Sequence, residues 1–146
     1  MADRTFLSES LFEKLADQYA DGTPIQSVDP EDRRAKSICD HLWRMFNTRQ
    51  GTIPNLPDYG LPDISEIYRK MPASLKDLEK TILNLCNKYE PRLERVRISP
   101  IAADPKENRL CFELNGAIRG GDRISFQTSF ASTGQSSVEP LKSNET

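Results

Sequence analysis

A chain of 146 residues fits one domain with a modest core, since a chain of this size buries roughly two thirds of its unfolded surface. Its 20 basic and 22 acidic side chains leave a formal charge of −2, so the cationic footprint that phosphate backbones require is missing and nucleic acid is not an expected partner. No apolar run approaches the roughly 20 residues that cross a bilayer, and the opening MADRTFLSES lacks the basic-then-apolar plan of a signal peptide. A cytoplasmic location without membrane insertion is expected.

Ser10 and Glu13 form a capping box ahead of Leu11, Phe12, Leu15 and Tyr19, which predicts a short amphipathic helix over residues 11–19. So short a helix needs its apolar face covered, by the body of the protein or by a partner, and Leu11, Phe12 and Leu15 are the docking candidates. Asp29, Pro30, Glu31 and Asp32 then read as cap, first helical residue and acidic first turn of a longer helix. Ala35, Ile38, Cys39, Leu42, Met45 and Phe46 supply its core stripe. The segment TIPNLPDYGLPD forbids a long regular element, and Leu56, Tyr59 and Leu61 are expected to pin it to the core. Asp63 with Glu66 opens a short helix, and Ser74 with Asp77 opens the last one, striped by Leu75, Leu78, Ile82, Leu85, Cys86 and Tyr89.

Beyond Pro91 the apolar period changes from near four to two. Val96 and Ile98, then Leu110, Phe112 and Leu114, then Ile124, Phe126 and Phe130 alternate with polar or small neighbours, predicting three half-buried strands. DPKEN and RGGD are short enough for hairpins, and Pro100 before Ile101 is a candidate bulge. The fold class is therefore α+β, with helices packed on one face of a small antiparallel meander of three main strands. Residues 132–146 lack periodicity and read as a disordered polar tail behind a domain over 29–131, with an N-terminal docking segment over 1–28.

Few residues point to chemistry. Cys39, Cys86 and Cys111 are odd in number, widely spaced and set in apolar patterns, which favours reduced buried thiols over disulfides. Together with His41 they make a poor zinc set, so neither a metal nor another cofactor is expected. Cys39 and His41 stand two apart on a helix and point in different directions, against a nucleophile and base pair. Most carboxylates sit at helix starts, where capping explains them, and no catalytic residue is assigned.

Two features read as interaction signals. The strand from Ile124 through Phe126 and Thr128 to Phe130 carries no proline, lysine or inward charge. If the strands lie in sequence order it is a bare edge able to accept a strand, unless the chain's own tail or helices cover it. The triplet Glu90, Pro91 and Arg92 joins the last helix to the sheet. Proline enforces the stop, and the two charges either finish the helix end or stand ready for bidentate bonds to a partner.

The series ICDHLWRMFNTRQG, PDYGLPD and YEPRL, in this order and spacing, resembles the small baseplate wedge family of contractile injection machines, most of all its TssE branch in bacterial type VI secretion. The resemblance spans roughly residues 8–131. It implies a structural part with a sheath-subunit-like fold, not an enzyme. Implied partners are the larger wedge subunits TssF, TssG and TssK and the sheath subunits TssB and TssC. Glu90, Pro91 and Arg92 map onto the family's wedge-joining motif, and strand exchange at Ile124 to Phe130 would begin the sheath. Charge reversal at Arg92 is expected to abolish wedge assembly with the fold intact, and proline or lysine at Gln127 to block sheath growth alone. A phage tail device and a peptidoglycan hydrolase are the alternatives.

Overall fold

A computed structural model describes residues 9–30, 32–101 and 109–141. Four helices, α1 (Leu11–Ala16), α2 (Arg33–Phe46), α3 (Ile64–Arg69) and α4 (Ala73–Tyr89), precede four strands, β1 (Leu93–Ile101), β2 (Arg109–Ile118), β3 (Arg123–Ala131) and β4 (Ser136–Leu141). The strands form one antiparallel sheet in the order β1-β2-β3-β4. The α+β class is as the alternation predicts. Phe112, Leu114, Phe126 and Phe130 face inward against Ile38, Leu42, Met45 and Phe46 of α2 and Leu78, Ile82 and Leu85 of α4. Period two meeting period near four across one interface is what closes this core.

The helix starts differ in detail from the sequence reading. The Ser10 and Glu13 capping box is present, but α1 ends at Ala16, where Asp17 turns left-handed, and Tyr19 is buried outside the helix. Asp29 does not cap α2. The Asp32 N–H instead bonds the Asp29 carbonyl (2.8 Å), Arg33 Nε bonds the Val28 carbonyl (3.1 Å), and the helix opens at Arg33. Glu31 lies outside the described residues. Asp63 caps α3 through the Ser65 N–H. Ser74 is no cap: it is buried inside α4, where its hydroxyl donates to the Ile67 carbonyl (2.6 Å) and ties α3 to α4.

The proline-rich loop is partly pinned as expected. Leu61 is buried and Tyr59 packs edge-on against Tyr89 at 5.0 Å between centroids, while Leu56 stays exposed. Gly60 makes the tightest turn there. Its φ is +104°, and a Cβ would lie 2.4 Å from the Thr48 carbonyl oxygen, so no other residue fits without moving the backbone.

The largest correction concerns the end of the chain. Residues 136–141 are not a disordered tail but β4, paired with β3 from Phe130↔Ser136 to Ser125↔Leu141. The segment from Ile124 to Phe130 is thus an interior strand, with Phe126, Thr128 and Phe130 fully buried. It has no free edge. Nor is the outer side of β4 open: Asn47 accepts from the Ser136 N–H (3.0 Å) and donates to its carbonyl (3.2 Å), the Cys39 thiol donates to the Val138 carbonyl (3.3 Å), and Pro140 has no N–H to offer. At the other edge, the bulge in β1 falls between Glu94 and Arg97, not at Pro100, and puts Arg95 at φ +53°. RGGD makes the β2 to β3 hairpin, with the Ile118 N–H on the Asp122 carbonyl at 2.9 Å. DPKEN and residues 142–146 lie outside the described residues.

Candidate functional site: the helix-to-sheet joint

α4 ends where the Glu90 N–H still reaches the Cys86 carbonyl (3.0 Å) and Pro91 can donate nothing further. Glu90 itself has left the helical region, at φ −123°, ψ 79°, since the following proline disfavours that conformation. Its side chain turns inward and is 1 % exposed. An ionised carboxylate at such depth must be fully partnered, and it is.

Arg92 Nε and Nη2 each donate to one Glu90 oxygen at 2.8 Å, a two-pronged pair, and the Arg92 N–H adds a bond at 3.2 Å. His41 Nδ1, from α2, sits 2.7 Å from Glu90 Oε2. The remaining Arg92 nitrogen, Nη1, donates to Ser37 Oγ (2.7 Å), whose hydroxyl lies 2.7 Å from Glu13 Oε2. The same Glu13 oxygen accepts the Ser10 N–H (2.8 Å) of the capping box. One continuous chain of polar contacts thus joins α1, α2, the end of α4 and the start of β1. Burial by itself would raise the Glu90 carboxyl, but the bonds and charges of Arg92 and His41 outweigh it and hold the group down to about 2. Glu90 is therefore a permanent anion at neutral pH, unsuited to a general acid's work.

This arrangement corrects the picture of an exposed pair of charges. Glu90 and Arg92 spend their bonding on each other and on α2, and of the triplet Pro91 alone is exposed. What the joint shows to solvent is a groove of about 380 Å³, walled by Phe12, His41, Arg44, Tyr59, Tyr89 and Pro91. Arg44, exposed at its rim, makes no ion pair among the described residues. Phe12 belongs to an inverted helix: α1 turns Glu13 inward and leaves Leu11, Phe12 and Leu15 at 68, 74 and 76 % exposure. Among the described residues, therefore, the body of the protein does not cover this apolar face.

The other candidates separate. Cys39 bonds to β4 and His41 to Glu90, so the two never meet, and burial pushes the Cys39 and Cys86 thiols up to about 12. None of Cys39, Cys86 and Cys111 is joined in a disulfide. Among the described residues no three His, Cys, Asp or Glu side chains gather as metal ligands, and no helix is long and apolar enough to cross a membrane. Sequence reasoning missed Arg44, Ser37 and Glu13 as parts of the joint. Only Glu13 carried a signal, its place in the capping box.

An α+β module whose joint keeps its charges inside and whose apolar arm faces out has the form of an assembly part. The chain belongs to the family of baseplate wedge protein gp25, whose family model matches residues 32–123. A chain in the solved baseplate complex from the type VI secretion system is 28% identical, with 70% of this chain and 98% of that one covered at a TM-score of 0.56. A crystal structure from Geobacter sulfurreducens, described as a candidate tail lysozyme, is 17% identical over 75% of this chain and 93% of that one, at a TM-score of 0.52. At that identity the likeness is one of fold alone. No curated protein matches the sequence.

Proposed function

We propose that the chain is the small wedge subunit of a type VI secretion baseplate, a structural part without catalytic activity. It binds the larger wedge subunits, the TssF, TssG and TssK class, in the groove beside Pro91 and along the bare face of α1. It works on the cytoplasmic side, in a baseplate docked at the inner membrane. The observation that carries this reading is the pairing of a rigid, internally satisfied joint with an outward apolar arm at one groove. Contact then falls to Phe12, Arg44 and Tyr59, with Glu90 and Arg92 as the frame behind them.

Sheath initiation by strand exchange takes a modified form. Since β3 is already paired and the outer side of β4 is largely occupied, exchange with TssB and TssC proceeds by release of β4, which bares the backbone of β3.

Co-purification from native cells tests the first part. Arg44→Glu is expected to fold normally and to lose the larger wedge subunits; undiminished recovery of them would remove the groove from the interface. A lock tests the second. Ser129 and Ser137 face each other across β3 and β4 with hydroxyls 2.5 Å apart, so cysteines there suit a disulfide. The oxidised Ser129→Cys, Ser137→Cys protein should join the wedge yet fail to seed sheath subunits in vitro, and reduction should restore seeding. Seeding by the oxidised form would mean that β4 stays in place.

A further inference from the structure

The sheet face turned away from the helices carries a separate feature. Arg95, Arg97 and Arg123 surround a cleft of about 310 Å³ whose remaining lining is Asn115, Gly116 and Ala117. Its shape comes from the bulge. Arg97 pairs with Asn115 and Glu94 with Ala117, so Arg95 is left in the left-handed region at φ +53°, a conformation that a residue with a Cβ adopts only when its surroundings compel it. On the far side of β2, Arg123 pairs with Ala117. Gly116 keeps the strands close here, since a Cβ on it would lie 3.2 Å from the Glu94 carbonyl oxygen.

The charges around the cleft are unbalanced. Glu94, the acid at the bulge, is engaged by Arg119 Nε at 3.1 Å. None of the three cleft arginines makes an ion pair or a side-chain hydrogen bond among the described residues. One step further along the sheet, Glu113, Gln127 and Glu139 form a row on the same face. The surface is thus polarised, cationic at the bulge and acidic beyond it.

We infer that this cleft binds an extended acidic segment of a protein partner, through two-pronged bonds from Arg97 and Arg123 to its carboxylates. Alternate side chains of an extended segment project to the same side roughly 7 Å apart, a spacing that long arginines anchored two strands apart both reach. Guanidinium suits a carboxylate better than an ammonium does, because its planar fork donates two parallel bonds. A nucleic acid fits less well. The cleft has no aromatic platform for a base, and a phosphate backbone tracking across the sheet would meet Glu113 and Glu139. The site lies apart from the groove at Pro91, so it stands or falls independently of the wedge reading.

Fluorescence anisotropy with the full chain decides the matter, using a labelled oligoglutamate peptide and, in parallel, an oligothymidylate of equal charge. Oligoglutamate should bind. Arg97→Gln with Arg123→Gln should weaken it about tenfold or more, and Arg97→Lys with Arg123→Lys by several-fold, since lysine keeps the charge and loses the fork. Lys76→Gln with Lys80→Gln, on the exposed side of α4, should change nothing. The inference is overturned if the wild-type chain ignores the peptide, if the α4 pair weakens it as much, or if the lysine variant retains full affinity. It is equally overturned if oligothymidylate binds more tightly through the same arginines. Both arginines are exposed, so the variants should retain the wild-type circular dichroism and melting curve.

Discussion

Replacing Arg92 by leucine is expected to cost about 3–5 kcal/mol of folding stability, because it strands a buried, ionised Glu90. Arg92→Glu should be worse still, placing two like charges where 13 % of the arginine side chain and 1 % of the glutamate now meet solvent. Loss of wedge assembly in that variant would accordingly report unfolding, not a broken contact, and the sequence-based expectation of an intact fold does not survive the geometry. The comparison to make is with Arg119→Leu, which breaks the exposed Arg119 and Glu94 pair and should cost at most about 1 kcal/mol. Urea unfolding of the three proteins measures the difference. Equal costs at the two sites would mean that the joint stabilises no more than a surface pair.

The second large effect is in acid. An unfolded glutamate titrates near 4.5, whereas folded Glu90 is held at about 2, so the native state binds this proton more weakly than the unfolded chain does. The resulting stability is fully present above pH 4.5 and is lost as pH falls through 2. Its size is about 3 kcal/mol, from the free energy equivalent of one pKa shift of this extent. Asp21, held at about 2 by its bond to Lys36, acts in the same window. Subtraction removes it: Glu90→Gln should be less stable than wild type at pH 7, and the two should converge toward pH 2. Parallel stability curves across that range would show that Glu90 carries no such linkage.

The sheet and the helical core were legible because their apolar spacing is unambiguous. Phe112 and Leu114, or Leu78, Ile82 and Leu85, can satisfy one period and not the other. β4 was not, because Ser136, Ser137, Glu139 and Pro140 bury little apolar surface, and its outer side is held by Asn47 and Cys39, 89 and 99 positions away. The joint was legible as a place and misread as a surface. Glu90 and Arg92 are neighbours in sequence, but their burial depends on Ser37 and His41 arriving from α2, which local pattern does not encode. Likewise, the capping box foretold α1, while the inward use of Glu13 reverses which side of that helix faces water.

That use of Glu13 has a mechanical consequence. A partner gripping Leu11, Phe12 and Leu15 holds a helix that is tied through Glu13, Ser37 and Arg92 to the root of β1. A pull on the arm can reach the sheet across side-chain bonds in series, without first straightening residues 17–32. In series, each of these bonds bears the whole load, and the weakest yields first. The arm's hold on the sheet is therefore no stronger than the single hydroxyl of Ser37, through which the whole pull must pass.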